Sequence, residues 1–431
     1  MIEQIIHPKN MHKACIHVVQ NAGSAGVDGM PVNELKRYVK NHRDAIATRI
    51  INGKYLPQAI KGVAIPKSNG KTRLLGIPTV SDRWLQQSAA QAIAPRFEKE
   101  FTAHSYGFRP HKNAHACILQ SQKYIHEGYQ YIVDIDLKNF FDEVEHNVLL
   151  QLLHRLVKCP VTLRLIRKWL RAPILIEGQL TKRRKGVPQG SPLSPLLSNI
   201  MLHELDKYLE TNGHKYVRYA DDFSIYCKGK SKARQTGNKV YLFLKDKLKL
   251  TINREKSGIR KPVQFQILGY RYVPTYAKGT KGKYQTVVAE KGWKKLKETL
   301  KEITKKTAPR SLTERIAQLK TVQRGWVNYF RMASMQAKLL AVDSWVRNRL
   351  RYCIWHDWKK PERRRKNLMR LGVDAAHAGA WSRTRKGGWA VAQSPILTTT
   401  VTLKRLQQRG YESLLDYYYK VAPQFSEPLY A

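Results

Sequence analysis

Apolar residues recur at helical spacing over residues 32 to 51, and the first 60 or so residues read as helical, broken by the AGSAGVDG loop (22 to 29) and by Pro57. KGVAIPKSNGKTRLLGIPTV (61 to 80) then alternates short β-prone runs with turn residues at Pro66, Ser68-Asn69-Gly70 and Pro78, which predicts a hairpin. Ser81 stands as the N-cap of a helix beyond it. From Tyr131 the pattern predicts a strand, a helix around 146 to 172, a turn from Pro188 to Pro195 and a helix over 196 to 211. A second hairpin follows, with Val217-Arg218-Tyr219 leading in and Phe223-Ser224-Ile225-Tyr226 leading out. Gly279 to Gly282 lies in a polar, basic stretch that reads as a link. Beyond residue 290 the strand signals fade, and KGWKKLKETLKEI, LTERIAQLKTVQRGWVNYF and AKLLAVDSWVRNRLRYCIW predict amphipathic basic helices. Residues 360 to 393 turn strongly basic and Gly-rich around Trp381 and Trp389, which predicts a small last domain. The mixture is α+β, without an internal repeat.

Composition adds a partner to this outline. Seventy-eight Lys and Arg against 32 Asp and Glu give a formal charge of +46, too large for surface solvation, so a polyanion is expected. The excess is spread along the chain. Residues 291 to 431 carry 30 basic and 10 acidic side chains, leaving +26 for the first 290, so both halves should meet phosphates and binding should fall steeply with salt. At 431 residues and 42% hydrophobic the chain can bury two to four domain cores. The five cysteines form no C-x-x-C pair and no zinc-like Cys/His spacing, which points to a reducing cytoplasm. No signal-peptide core and no uncharged apolar run near 18 residues is present, so no membrane partner is expected.

The candidate chemistry is acidic. Asp221 and Asp222 stand at the tip of the second hairpin in Tyr219-Ala220-Asp221-Asp222, and Asp136 lies 85 residues upstream in YIVDIDLKNFFDEVEH. Short carboxylates from neighbouring strands are hard oxygen ligands of the kind magnesium prefers, with the rest of its shell left to water and phosphates. Two such ions, about 4 Å apart, activate a hydroxyl and neutralise a departing pyrophosphate. Period two puts Ile132, Asp134 and Asp136 on one face, so the strand alone leaves both acids as candidates.

Four strings occur in one order: SYGFRP (105 to 110), DLKNFFD, GVPQGSPLSPLLSNIML (186 to 202) and the YADD turn. Together with AGVDG near the start, RGWVNYF (324 to 330) and KGGWAVAQSPIL in the tail, they resemble the reverse transcriptase/maturases encoded by bacterial group II introns, over nearly the whole chain. The resemblance implies a right-hand polymerase with an antiparallel palm sheet, an α-helical thumb and a small basic C-terminal domain. Its expected divisions are an N-terminal extension (1–60), fingers and palm (61–285), a thumb/maturase domain (290–360) and a basic DNA-binding domain (361–431). It implies RNA-directed DNA synthesis on an RNA template with a DNA primer and deoxynucleoside triphosphates, together with binding of the group II intron RNA and a DNA target. The cofactor would be two Mg²⁺ ions, with Mn²⁺ as a substitute, in a bacterial cytoplasm; the oligomeric state stays open.

Site residues carry over by position. The metal-binding Asp precedes an aromatic by five residues in this family, which selects Asp136 with Phe141 over Asp134 with Asn139. Asp136, Asp221 and Asp222 are then the catalytic metal ligands, with the carbonyl of Leu137 as a secondary contact, and Phe141 is the gate against a 2′-hydroxyl. Lys67 and Arg73 match triphosphate-binding residues, with Lys71 in the same loop; Gln189 matches a residue packed by the incoming nucleotide, and Lys256 the proton donor to pyrophosphate. ILGYRY (267 to 272) resembles a primer-grip hairpin. No Cys-paired nuclease pattern follows residue 393, which resembles the nuclease-less lineages, whose target priming would use a strand such as one at a replication fork. A free-standing repair enzyme and a splicing cofactor without polymerase activity are the alternative readings.

Overall fold

A computed structural model of the chain describes residues 1–66, 70, 72–276 and 282–422. It divides into two compact units, Met1–Lys261 and Pro262–Ala431. Strands of the first unit are, in chain order, β1 (Ile60–Pro66), β2 (Thr72–Ile77), β3 (Tyr131–Ile135), β4 (Ile174–Ile176), β5 (Gln179–Thr181), β6 (Lys215–Tyr219), β7 (Asp222–Cys227) and β8 (Gly258–Arg260). One sheet runs β2-β1-β4-β5; its β1–β2 hairpin pairs Lys61 with Ile77 through to Pro66 with Thr72, as the turn chemistry predicts. The other runs β6-β7-β3-β8 with every neighbour antiparallel. Val133 and Ile135 of β3 and Phe223 and Ile225 of β7 share one apolar core with Leu197, Met201 and Leu205 of the helix Ser194–Thr211. Each such fully buried side chain contributes about 2 kcal/mol.

The N-terminal helices belong to this same core. Pro8–Gln20 lies along the helix Val80–Glu98; the indole N–H of the wholly buried Trp84 donates to the Met11 carbonyl (2.8 Å), and Asn10 Nδ2 donates to Ser88 Oγ (2.8 Å).

Several local expectations shift. Thr79, not Ser81, caps the helix Val80–Glu98, because its hydroxyl accepts from the Asp82 amide while Ser81 is already inside the first turn. The single helix expected around 146 to 172 is two, His146–Val157 and Pro160–Arg171. Lys158 is left-handed (φ +42°) and Pro160 opens the second helix, where its missing N–H costs nothing. The β4–β5 hairpin was not expected; it turns at Glu177-Gly178, both with positive φ.

In the second unit, β9 (Gln266–Ile267), β10 (Tyr270–Pro274) and β11 (Tyr284–Val288) form a small antiparallel sheet containing ILGYRY. The predicted basic helices appear as Glu290–Ile303, Leu312–Phe330 and Gln336–Asp357, the second opened by a Ser311–Glu314 capping box. Residues 361 to 422 pack onto them. The buried Asp343 carboxylate accepts from the Leu414 amide (2.8 Å), the Leu415 amide (2.9 Å) and the Tyr411 hydroxyl (3.2 Å), and Arg351 Nε donates to the Val401 carbonyl (3.0 Å). The buried Trp293 and Phe330 pack against the half-buried Trp326 with tilted rings, centroids 4.7 and 4.8 Å apart. Among the described residues no helix is long and apolar enough to cross a membrane.

Candidate active site

The acidic residues meet at one end of the β6-β7-β3-β8 sheet. Tyr219 pairs with Asp222, so Ala220 and Asp221 form a two-residue turn, and Ala220 takes the left-handed conformation (φ +57°) that such a turn requires. Ile135 pairs with Phe223, and one residue further along that register Asp136 falls beside Asp222. The Asp136 backbone is held by the segment after Ile252: its amide donates to Ser257 Oγ (3.0 Å) and its carbonyl accepts from the Asn253 amide (2.8 Å). Leu137 follows with a buried side chain and bridges Ile252.

Crowding of negative charge is visible in the protonation equilibria. Burial, then repulsion from Asp221, Asp136 and Asp134, pushes the Asp222 carboxyl up to about 6, against a lowering contribution from Lys256. Burial also raises Asp221, with Arg73 opposing and Asp136 adding to the shift. Lys256 Nζ stands 3.5 Å from Asp136 Oδ2 on a largely exposed side chain. Asp134 is engaged differently: Arg260 Nε donates to its carboxylate at 2.9 Å.

Beside the acids lies a cleft of about 720 Å³, lined by Arg73, Phe108, Phe141, Gln189 and Gly190 among others. Arg73 Nε donates to Gln189 Oε1. The loop carrying Gln189 is docked by its glycines. A Cβ on Gly190 would stand 2.4 Å from the Gly76 carbonyl oxygen on β2, and one on Gly186 (φ +86°) would stand 2.8 Å from the Asp142 oxygen and 2.9 Å from the Phe141 oxygen. The Val187 amide donates to that Phe141 carbonyl (2.6 Å), so the GVPQG loop also seats Phe141. Lys67 and Lys71 lie outside the described residues, as do 68 and 69 of the predicted turn and 279 to 281 of the predicted link. Of the residues expected from the sequence, the structure therefore groups Asp136, Asp221, Asp222 and Lys256 at the strand ends and Arg73, Phe141 and Gln189 around the cleft.

Two features were not anticipated from the sequence. Phe108, in SYGFRP, is 57% exposed and lines the cleft with φ +57°, uncommon for an aromatic residue. Arg109 of the same string turns inward to Glu98 (2.7 Å) and the Ser105 carbonyl (2.8 Å), anchoring the loop on the helix Val80–Glu98. An exposed aromatic next to a loop arginine was the available signal.

Among the described residues no three His, Cys, Asp or Glu side chains converge closely enough to cage a metal ion by themselves. A partly exposed group of carboxylates crowded against one another nevertheless suits an ion that draws the rest of its shell from water and substrate phosphates.

A family profile described as reverse transcriptase (RNA-dependent DNA polymerase) matches residues 65–272, and the group II intron maturase-specific domain matches residues 293–372. Protein YkfC of Escherichia coli (strain K12) is 31% identical over 293 residues, which cover 59% of this chain and 77% of YkfC. The group II intron-encoded protein LtrA of Lactococcus lactis subsp. cremoris is 30% identical over 311 residues, 56% of this chain and 50% of LtrA, so the chain spans half of that relative's length. Among solved structures, a chain of a partial Cas6-RT-Cas1--Cas2 complex is similar at 27% identity and a TM-score of 0.37, covering 57% of this chain and 42% of that one. The chain belongs to the group II intron reverse transcriptase/maturase family, an α+β right-hand polymerase in which an RNA-dependent DNA polymerase domain precedes a helical maturase-specific domain.

Proposed function

We propose that this protein copies RNA into DNA by two-metal nucleotidyl transfer and binds its intron RNA in the bacterial cytoplasm to assist splicing and mobility. The observation that carries the polymerase reading is the juxtaposition of Asp136 with the Asp221-Asp222 turn, in which burial and mutual repulsion raise Asp222 to about 6. Asp136, Asp221 and Asp222, with the Leu137 carbonyl, would hold two Mg²⁺ ions. When bound, the ions lower the pKa of a primer 3′-hydroxyl and neutralise charge on the departing pyrophosphate.

The chain's own groups supply the rest. Arg73, and Lys67 outside the described residues, would clasp the triphosphate through charge-assisted hydrogen bonds. Gln189, held by Arg73, would pack on the incoming nucleotide, and Phe141, seated by Val187 and Gly186, would crowd a 2′-hydroxyl and favour deoxynucleotides. Lys256, whose Nζ lies 3.5 Å from Asp136 Oδ2, would deliver a proton to pyrophosphate. Intron RNA and target DNA would be drawn by the net positive charge. A basic cleft of about 730 Å³ in the second unit, lined by Arg365, Lys366, Arg370 and Arg383, suits phosphate contacts. The domain divisions expected from the sequence stay part of this proposal, with residues 361 to 422 sharing a core with the helices before them.

Primer extension tests the reading. A DNA primer on an RNA template should lengthen with deoxynucleotides and magnesium and stop when the metal is chelated. No extension by the folded protein on any template would instead favour an RNA-binding splicing cofactor.

A further inference from the structure

Arg218, on β6, is completely buried, although arginine seldom leaves water without several partners. Its partners come from three segments: the helix Ser194–Thr211, the loop at residues 104 to 106 and the acidic turn. Nε and Nη2 donate to the two carboxylate oxygens of Asp206, itself fully buried, at 2.8 and 2.6 Å. Nη2 also donates to Ser105 Oγ (2.7 Å), while Nη1 donates to Asn199 Oδ1 (3.0 Å) and to the carbonyl of Ala220 (2.9 Å), inside the acidic turn. The main chain repeats the tie: the Arg218 amide donates to the His104 carbonyl (2.9 Å), and the Tyr106 amide donates to the Arg218 carbonyl (2.8 Å). Asn199 closes the circuit by donating from Nδ2 to the Gly107 carbonyl (2.9 Å). Gly107 is pressed so closely to the turn that a Cβ there would stand 2.3 Å from the Ala220 nitrogen.

That turn needs a restraint. Ala220 holds a left-handed backbone with a side chain attached, and the two carboxylates after it repel each other and Asp136 in a partly dry site. Because Asp206 neutralises Arg218 at contact distance, the guanidinium acts on the acids mainly through geometry, and its planar fork serves four acceptor groups together in a way an ammonium cannot.

We infer that Arg218 is a positioning residue for the acidic turn: by binding the Ala220 carbonyl while anchored to Asp206, Asn199 and Ser105, it fixes the pitch at which Asp221 and Asp222 face Asp136. The inference deepens the polymerase reading and rests on it. Removing Arg218 outright would strand the buried Asp206 charge, so the test uses Arg218→Lys, which keeps the charge, and Asn199→Ala, which keeps the ion pair.

In the full chain both variants should fold, as circular dichroism and thermal unfolding will report. In single-nucleotide addition, kcat should fall about tenfold or more, the scale at which small misplacements act on catalysis. KM for the deoxynucleotide should change by less than about twofold, because the triphosphate contacts lie elsewhere. Mn²⁺ titrated onto the protein without nucleotide, with free ion read by electron paramagnetic resonance, should bind several-fold more weakly than to wild type. Unchanged kcat, or a loss that only tracks the unfolded fraction while the folded protein binds Mn²⁺ normally, overturns the inference. If Arg218→Lys fails to fold, Asn199→Ala decides by the same criteria. A wild type that binds Mn²⁺ but extends no primer would overturn the polymerase reading, and the Mn²⁺ comparison would still judge Arg218.

Discussion

Asp134 and Asp136 sit two residues apart on one strand face, yet their neighbours separate them: Arg260 holds the first, while the second stands beside Asp222 and Lys256. Asp136→Asn is therefore expected to abolish primer extension, whereas Asp134→Asn should keep most of it; the reverse pattern in a single-turnover assay would reassign the ligand. His203, in the helix Ser194–Thr211, makes a second prediction. Its ring is buried edge-on to Phe101, and burial, aided by Lys207 and Arg218 and opposed by Asp206 and Glu204, depresses its pKa to about 4. The folded state thus keeps the imidazole neutral while the unfolded chain protonates below about 6.5, so stability is full above that pH and is lost as pH falls toward 4. His203→Leu should remove a pH-dependent loss on the order of 2 kcal/mol, seen as urea midpoints that converge or cross between pH 7 and pH 4.5; parallel losses in both proteins would exclude His203 as the source. The acids were legible because the YADD turn, a weak signal alone, follows SYGFRP, DLKNFFD and GVPQGSPLSP in one order. Arg218 was not legible: among 78 basic residues nothing singles it out except its place between Val217 and Tyr219 in a strand buried along most of its length.

At the scale of elements, strands and long amphipathic helices followed from periodicity, and the errors fell at punctuation. Pro160 was absorbed into a continuous helix although proline is best tolerated in a helix's first turn, and Glu177-Gly178 between two three-residue strands was too short a pattern to stand out. Loop docking was also hidden, since it depends on which backbone a glycine approaches. Gly190 supplies the test. A methyl group there meets the Gly76 carbonyl, a backbone atom with little freedom to yield, so Gly190→Ala should lift the loop and separate Gln189 from Arg73. KM for the deoxynucleotide should rise about tenfold with a smaller change in kcat; equal effects on both, measured in steady state, would mean that the loop does not position the nucleotide.

For the whole molecule, charge predicts behaviour that no single site does. Substituting Arg365, Lys366 and Arg370 together by Gln should reduce the slope of log affinity against log salt for a duplex by about 2 to 3 if each meets a phosphate, with extension on a short primer-template preserved. These changes are preferable to truncation at residue 361, which would uncover Asp343 and the core shared with residues 411 to 415. An unchanged slope would place the phosphate contacts elsewhere. The central claim is that the Asp221-Asp222 turn makes DNA on an RNA template, and the most direct measurement compares wild type with Asp221→Asn/Asp222→Asn in extending a DNA primer on RNA with magnesium and deoxynucleotides. Extension by wild type and none above background by the folded variant is the predicted result; a variant that extends at the wild-type rate would contradict it.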